Sequence, residues 1–279
     1  MILYYPEKDV LSNVLSYSSQ VDKVYLADNS EKPDTSLVKA LRQGLPHGEY
    51  LQDGVNKGIA ARLNQVCQLA KAAGYDYLLT MDQDSLFSGN NLTDYLHCFE
   101  TFPDRDKVAM CGVEYQHSDW LSAQCKAEQC TQLITSGSFL NLHLWESMGG
   151  FDENLFIDMV DFEFCYRAIV RGHQIVIFKN IVLDHFLGTT SFRSEDSGEA
   201  KRERTLYSPI RLYYMYRNYL YMKKRYEQHF PGEIRQTQLA VRSRIKNNLL
   251  LKKDRLKILR YLIRAVSDHR SGKMGKYQH

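Results

Sequence analysis

Two carboxylates one residue apart are the first candidates for chemistry. Asp82 and Asp84 stand in the stretch "YLLTMDQDSLF", directly after an apolar run. In an extended segment, side chains two residues apart share a face, and two such carboxylates repel each other unless a cation or a proton lies between them. Oxygen ligands suit hard ions such as Mg²⁺ or Mn²⁺. The pattern favours a divalent-metal site. An ordinary turn is the alternative, because Asp and Ser are common turn residues.

A second acidic cluster lies in "FIDMVDFEFCYR", where Asp158, Asp161 and Glu163 crowd the start of a predicted helix. Acids near a helix N-terminus interact favourably with the helix dipole, and this is the structural alternative. The apolar neighbours Phe156 and Val160 indicate a partly buried acid instead. Burial raises the pKa of a carboxyl toward the range of a general base.

Two further features could complete a site. His185 ends a predicted strand in "LDHFLG". It is either a structural histidine or a ligand for a borderline metal such as Mn²⁺. Ser136, Gly137 and Ser138 in "ITSGSFLN" are small enough to let a ligand approach the backbone, although a simple bulge would also explain them.

The elements around these residues alternate between short apolar runs and helical patterns over the first 200 residues. Strands are predicted in "MILYY", "KVYLADNS" and "YDYLLTM", and helices in "DVLSNVLSYSSQ", "TSLVKALRQ" and "GIAARLNQVCQLAKAAG". Later come a helix in "VDFEFCYRAIVRGH" and short strands in "QIVIF" and "IVLDHF". This alternation predicts an α/β fold with a mostly parallel central sheet flanked by helices. Polar clusters follow three strands, at the carboxyl edge where such sheets bind ligands.

Charge divides the chain into two regions. Residues 1–200 carry 15 Lys+Arg and 28 Asp+Glu, so 15 − 28 = −13, whereas residues 201–279 carry 21 and 5, so 21 − 5 = +16. We therefore expect a catalytic domain over 1–200 and a basic α-helical C-terminal region over 201–279. The acidic first region argues against nucleic acid as a partner, because it would repel phosphates.

The cysteines and the hydropathy predict a cytoplasmic protein. Six cysteines occur without a CxxC pair or metal-like spacing, so we expect a reduced chain with buried thiols. No apolar stretch approaches the roughly 20 residues that span a bilayer. No charged and then apolar signal sequence opens the chain.

Taken in order along the chain, these pieces resemble an inverting family 2 glycosyltransferase with the glycosyltransferase A-type fold. More narrowly, they resemble the rhamnosyltransferase-like branch that builds bacterial surface polysaccharides. The segments that carry the resemblance are "YYP", "ADNS", "NKGIAARLN", "GYDYLLTMDQDS", "ITSGSFLN", "GGFDENLFIDMVDFEFCYR", "DHFLG" and "YYMYRNYLYM". Arg62 and Leu63 depart from the residues that many relatives carry after the "NKG" loop.

The resemblance implies a role for each candidate residue. Asp82 and Asp84 match the motif that binds a metal ion and the donor diphosphate, His185 can complete the metal shell, and Asp161 matches the catalytic base. The residues implied to contact the donor nucleotide are Tyr5, Pro6, Glu7, Asp28, Asn29, Asn56, Lys57, Gly58, Asp82 and Gln83. Those implied to border the acceptor and the transferred sugar are Ser136, Gly137, Ser138, Asp158 and Glu163, with Glu163 and Arg167 also supporting the base from its helix.

The implied reaction is a single displacement at the anomeric carbon of a nucleotide sugar, with Mn²⁺ or Mg²⁺ neutralising the diphosphate. dTDP-rhamnose is the favoured donor and a UDP-hexose (galactose or glucose) the alternative. The acceptor is a saccharide or a lipid-linked saccharide. Two other functions are considered. Nucleotidyl transfer usually needs a glycine-rich, basic loop after the first strand, which "YYPEKD" is not. The other is an inactive nucleotide-sugar-binding module.

The basic C-terminal region has two parts with different expectations. For "RLYYMYRNYLYMKKRY" we expect a core helix with a solvated basic face. A long helical tail from about residue 233 follows, and "NNLLLKKDRLKILRYLIRAV" within it sets apolar residues at helical spacing among cations. We expect residues 233–279 to bind an anionic membrane surface, peripherally on the inner face of the cell membrane, with homodimerisation as the competing interpretation.

Overall fold

The computed structural model describes residues 1–115, 124–185, 191–192 and 204–278, and for residues 185, 191–192 and 204–205 it describes the backbone only. The chain forms two compact units. The first unit comprises Met1–Glu153 and Val160–Phe186, and the second comprises Asn154–Met159 and Leu187–His279. The predicted domain boundary after residue 200 lies outside the described residues. That residues 154–159 belong with the C-terminal helices was not predicted.

The first unit is built on two linked sheets. Strands β1 (Ile2–Leu3), β2 (Val24–Asp28) and β3 (Gly48–Gln52) are parallel and lie in the order β1-β2-β3. A parallel bridge between Ile2 and Asp82 joins β1 to the end of β4 (Tyr77–Thr80). This bridge sets the polar ends of β1, β2 and β4 along one edge, as the sequence predicts.

The second sheet has the order β4-β8-β6-β9-β7. It comprises β6 (Val108–Glu114), β7 (Ala127–Gln129), β8 (Ser138–Asn141) and β9 (Gln174–Val182) beside β4. β6 and β9 are parallel, and β8 and β7 pair in the antiparallel sense. A short antiparallel pair, β5 (Ser85–Leu86) with β10 (Asp184–His185), follows the acidic turn. β9 is one continuous strand where the sequence predicts a break.

Six helices cover these sheets: α1 (Val10–Ser18), α2 (Thr35–Gly44), α3 (Ile59–Ala72), α4 (Asn91–Thr101), α5 (Leu142–Ser147) and α6 (Val160–Val170). α2 begins after Asp34, whose Oδ1 accepts hydrogen bonds from the amides of Ser36 and Leu37. α3 ends at the predicted point, because Gly74 takes a left-handed conformation with φ +88°. The predicted α/β class with helix-flanked strands is confirmed.

The cysteines correct one prediction. Cys98 on α4 and Cys125 form a disulfide, with their Cα atoms 5.3 Å apart. The expectation of a fully reduced chain is therefore wrong for this pair, although Cys67, Cys111 and Cys165 are buried thiols as expected. The two partners are separated by 27 residues, and tertiary packing rather than local spacing brings them together.

The second unit is helical, with α7 (Pro209–Tyr226), α8 (Pro231–Leu251) and α9 (Arg255–Arg270), and it also holds a small hairpin of β11 (Ser191–Phe192) and β12 (Arg204–Thr205). Tyr213 and Tyr214 of α7 pack with Phe156 and with Ala265 of α9, which confirms the predicted core role of this helix. The tail is two helices rather than one. Within the described chain, no helix combines the length and the apolar character needed to cross a membrane.

Candidate active site

The loops after β1 and β4 are tied together by Gln83. The backbone N–H of Tyr4 donates to Gln83 Oε1 at 2.8 Å, and Gln83 Nε2 donates to the Tyr4 carbonyl at 3.3 Å. The Gln83 amide is thus engaged with the backbone of the neighbouring loop. Gln83 therefore helps to shape the edge of the sheet, and its predicted contact with the nucleotide stays a prediction.

Asp28 supports the same edge from below. It is only 1 % exposed. Its Oδ1 accepts from the amide of Ser30 at 2.7 Å, and its Oδ2 accepts from the hydroxyl of Tyr50. The Tyr5 amide in turn donates to Ser30 Oγ at 2.6 Å. A carboxylate so enclosed holds the first loop in place, and the predicted contact between Asp28 and a nucleotide stays a prediction.

Asn29 connects β2 with the loop before α3. Its Oδ1 accepts from the Lys57 amide at 3.1 Å and from Arg62 Nε at 2.8 Å, while its Nδ2 donates to the Gly58 carbonyl at 3.1 Å. Every hydrogen-bonding role of this amide except one N–H is occupied inside the protein. Asn29 therefore fixes the loop that carries Asn56, Lys57 and Gly58, and the predicted donor contact of its own side chain stays a prediction.

Arg62 is the centre of this network and was not predicted as a site residue. The side chain is fully buried. Its Nη1 donates to Gln65 Oε1 at 2.7 Å and to Asp53 Oδ2 at 3.2 Å, and its Nη2 donates to Asp53 Oδ1 at 2.5 Å and to the Val55 carbonyl at 2.9 Å. Together with the bond to Asn29, all five N–H groups are used. Hydrogen bonds from Arg62 and then Lys57 hold the pKa of Asp53 far below its usual range.

Aromatic side chains remain accessible at this edge. Tyr4 and Tyr5 are about half exposed, and their rings meet edge to face with centroids 4.8 Å apart. The Tyr4 hydroxyl hydrogen-bonds with the side chain of Asn56, which links the first loop to the "NKG" loop. Tyr5 has φ +43°, an unusual conformation for a bulky residue that neighbouring contacts must hold. Tyr4 is a further candidate that sequence reasoning missed, although the "YYP" pair contains it.

The acidic turn after β4 is held by Ser136. The Asp82 amide donates to Ser136 Oγ at 3.1 Å, and Ser136 Oγ donates to Ser85 Oγ at 2.8 Å. Asp82 and Asp84 are themselves half-buried. Ser136 is fully buried and positions the turn, and its predicted acceptor contact stays a prediction. The backbone of His185 lies opposite Ser85 in the β10–β5 pair, but its side chain lies outside the described part of the structure.

Tyr115 interacts with residues of both the acidic turn and α6. Its hydroxyl donates to the Ser136 carbonyl at 2.8 Å. Burial, and then the nearby carboxylates of Asp161 and Asp82, raise the pKa of Tyr115 far above its ordinary value. The predicted base and one predicted metal ligand therefore both interact electrostatically with the same half-buried tyrosine. Tyr115 was not predicted, because nothing local in "GVEYQ" distinguishes it from a core tyrosine.

Asp158 lies in the short segment that belongs to the second unit. Arg211 Nη2 donates to Asp158 Oδ1 at 2.7 Å. Asp158 and Met159 both have positive φ, +68° and +66°, and Asn218 Nδ2 donates to the carbonyls of Ile157 at 2.8 Å and Asp158 at 3.0 Å. The ion pair of Asp158 with Arg211 helps to hold an unusual turn, and the predicted acceptor contact of Asp158 stays a prediction.

Comparisons with known proteins bear on the fold. No family model matches the chain. A dTDP-rhamnosyl transferase, RfbF of Shigella flexneri, is 27% identical over 188 residues, which cover 61% of this chain and 62% of that protein. The chain thus matches less than two thirds of that relative.

Two solved structures share the architecture. One is GalNAc-T7 with UDP, GalNAc and Mn²⁺, with a TM-score of 0.53 and 10% identity over 67% of this chain and 43% of that one. The other is TarS of S. aureus, with a TM-score of 0.53 and 15% identity over 98% of this chain and 49% of that one. The chain has the glycosyltransferase A-type fold. The fold that the sequence motifs indicate is therefore confirmed.

Within this glycosyltransferase A-type fold, Glu163 supports α6 through contacts inside the protein. It is fully buried. Arg167 Nε donates to Glu163 Oε1 at 3.0 Å, and Arg167 Nη2 donates to Oε2 at 2.8 Å. The same guanidinium donates to the carbonyls of Met148 and Gly150, each at 2.7 Å. The contacts of Arg167 with Glu163 and the two carbonyls anchor the helix that carries Asp161. The predicted acceptor contact of Glu163 stays a prediction.

Gly137 and Ser138 also have internal reasons for their identity. Gly137 has φ +67°, and a Cβ there would lie 2.8 Å from Leu183 Cδ2. Ser138 is buried and donates to the Ile134 carbonyl at 2.7 Å. Both residues let β8 pack closely against the core. Both residues therefore have packing roles, and their predicted contacts with an acceptor stay predictions.

The acidic turn fits a divalent cation in its donor chemistry. Asp82 and Asp84 offer half-buried carboxylates on one tight turn, where the Ser85 amide donates to the Asp82 carbonyl at 3.3 Å. Among the described side chains, no three His, Cys, Asp or Glu residues form a ready-made metal cluster. Two carboxylates suit Mg²⁺ or Mn²⁺, which usually takes its remaining ligands from water and substrate phosphates.

Proposed function

We propose that this protein is a glycosyltransferase that moves a sugar from a nucleotide diphosphate donor to a hydroxyl of a saccharide or lipid-linked saccharide. One observation carries the proposal. In a glycosyltransferase A-type fold, the acidic turn and the half-buried acid at the start of α6 both lie close enough to Tyr115 to raise its pKa. Leaving-group stabilisation and proton removal need groups on two sides of the reacting bond, and we assign these two roles to the acidic turn and to Asp161.

Asp82 and Asp84 would hold the divalent cation, with His185 as a third predicted ligand. When bound, such a cation neutralises the diphosphate and stabilises it as a leaving group. Asp161 accepts the proton of the acceptor hydroxyl as that oxygen attacks the anomeric carbon. The bond from this carbon to the diphosphate oxygen breaks in the same step, so the configuration inverts and no covalent enzyme intermediate forms.

The donor proposal rests on the relatives and on the accessible edge of the sheet. We favour dTDP-rhamnose because the matching Shigella protein is named for it. A UDP-hexose is the second candidate because a structural neighbour contains UDP. The exposed rings of Tyr4 and Tyr5, beside Pro6, Glu7 and the loop of Asn56 and Lys57, offer a flat aromatic surface for a base.

The first test is turnover by wild type and by Asp161→Asn. Purified protein is incubated with dTDP-rhamnose, UDP-glucose or UDP-galactose and a panel of saccharide and lipid-linked acceptors, and the released nucleotide diphosphate is measured. Wild type should release dTDP or UDP with an acceptor present. Asp161→Asn should lose about 100-fold or more in rate, the usual contribution of a general base, while still binding the donor.

Asp94→Asn is the matched control, since Asp94 is an exposed acid in the first turn of α4. It should retain full activity. Equal rates for wild type and Asp161→Asn would exclude Asp161 as the base. Donor binding without transfer to any acceptor would favour the inactive binding module instead.

A further inference from the structure

Helix α9 is apolar on two opposite sides. Its inner side is accounted for by the core, since Ile258 and Ala265 are fully buried and pack in clusters with residues of α7. Its outer side carries Leu256, Leu259 and Ile263, which are 73 %, 44 % and 70 % exposed. A solvated helix normally keeps its apolar residues on one side. The outer set therefore needs an explanation that folding of the helix does not supply.

The outer residues form a continuous stripe. At about 100° per residue, Leu256, Leu259 and Ile263 fall within about 60° of one another around the helix axis. Leu250 and Leu251, at the end of α8, are also about half exposed, and Arg255 Nη2 donates to the Leu250 carbonyl at 3.2 Å. Of the eleven large apolar residues that the structure describes as exposed, five thus lie between residues 250 and 263. We call these five residues the outer stripe.

Cations flank the outer stripe. α9 contains Arg255, Lys257, Arg260, Arg264 and Arg270. Its single acid, Asp268, is buried and accepts from Arg264 Nε at 2.9 Å. The exposed side of α9 consequently carries cations beside its apolar residues and no carboxylate. Two more lysines, Lys252 and Lys253, follow the end of α8.

We propose that the outer stripe and its flanking cations dock on the surface of an anionic lipid bilayer. The leucines and Ile263 would enter the boundary between headgroups and acyl chains, and Lys257 and Arg260 would lie near lipid phosphates. A second copy of this chain is a less favourable partner for the outer stripe. A two-fold contact through the stripe would bring two cationic flanks together, within regions that each carry 21 Lys+Arg and 5 Asp+Glu. The proposal does not depend on transferase activity.

Vesicle flotation with the full chain tests the proposal. Wild type is mixed with vesicles of phosphatidylcholine alone or with about one third phosphatidylglycerol, at low and high salt. It should float with the anionic vesicles, bind neutral vesicles far less, and lose binding as salt screens the charges. Leu256→Ser with Ile263→Ser should weaken binding at least about tenfold, because both side chains insert. Arg260→Gln should weaken it about fivefold, the usual effect of one cation near an anionic membrane.

Matched controls lie on the first unit. Leu15→Ser removes a similarly exposed leucine of α1, and Lys39→Gln removes an exposed cation of α2. Neither should change flotation. Circular dichroism of each variant checks that the helices remain folded.

Two results would overturn the proposal. The first is a failure of the flotation test: either wild type and the double variant float equally, or wild type does not float at all. The second comes from sedimentation velocity, if wild type is a dimer, the double variant is a monomer, and neither binds vesicles. The outer stripe would then be an interface between copies of this chain.

Discussion

At the scale of single residues, Arg62 has the clearest structural role. A guanidinium without solvent contact is stabilised only if its N–H groups all find acceptors, and here Asn29, Asp53, Gln65 and the Val55 carbonyl supply them. The result is a rigid support under the "NKG" loop. This explains why the arginine that departs from the family's usual residue need not contact the donor.

Replacing Arg62 should therefore weaken both folding and nucleotide binding. Arg62→Met keeps most of the side-chain volume but leaves the buried oxygen of Asn29 short of a donor. We expect a loss of about 2–3 kcal/mol in the free energy of unfolding, measured with urea. Arg105→Met, at an exposed site, should change stability by less than about 0.5 kcal/mol. Equal stability of the two variants would contradict the support role.

The five acidic residues Asp28, Asp82, Asp84, Asp161 and Glu163 differ in how far the protein buries them. Asp82, Asp84 and Asp161 are half-buried, so each keeps some exposed surface. Asp28 and Glu163 are fully enclosed by partners elsewhere in the chain. Sequence motifs could single out all five, but residue type does not reveal which carboxylate is enclosed. Tyr50, for example, reaches Asp28 across 22 positions of sequence.

At the scale of elements, the turn before α6 is the feature that the sequence conceals. Two successive residues with positive φ, Asp158 and Met159, cost about 1–3 kcal/mol each unless contacts hold them. Asn218 of α7 provides two of those contacts through its side-chain amide. Asp161 follows Met159 by two positions in the chain.

Asn218→Ala should thus lower kcat more than it changes KM for the donor. The loss of two hydrogen bonds loosens the turn that precedes Asp161, and we expect kcat to fall about tenfold, because small displacements of a catalytic group are costly. Asn247→Ala, at a half-exposed asparagine of α8, is the control and should leave both constants unchanged. A variant that loses stability but keeps its kcat would show a purely structural role.

Regular elements with clear signals were predicted well. α1, α2, α3, β4 and α6 follow from apolar spacing and from ending signals such as Gly74 and Gly172. β6 was missed because six of its seven residues are buried, so its sequence lacks the alternation that marks a half-exposed strand. α4 and β3 were also missed, and the break between α8 and α9 at residues 252–254 was not predicted.

At the scale of the whole molecule, the disulfide adds a constraint that composition did not suggest. In the loop-entropy model, a bridge that closes a segment of this length stabilises a fold by about 3–4 kcal/mol, and the bridge here joins residues 27 apart. Cys98→Ser with Cys125→Ser should lose about that much in urea unfolding under oxidising conditions. Cys130→Ser, at a half-buried free thiol, should change stability little. Six reactive thiols in the protein denatured without reductant would contradict the bridge.

The charge asymmetry has a similar meaning for the whole chain. We propose different partners for the two regions. The acidic region with the glycosyltransferase A-type fold would bind a metal-bound diphosphate, and the basic helical region would bind an anionic surface. Both charges can be counted from sequence alone. The exposed apolar stripe on α9 could not be predicted from sequence alone, because burial of the opposite side of the helix decides which leucines remain exposed.

The measurement that tests the central claim most directly is calorimetric titration of dTDP and UDP into the protein, with and without Mn²⁺ or Mg²⁺. Wild type should bind one of them at least about tenfold more tightly with metal, a difference of about 1.4 kcal/mol. Asp84→Asn should lose that gain, and Asp94→Asn should keep it. Metal-independent binding that is equal in wild type and Asp84→Asn would contradict the account and leave the acidic turn a structural feature.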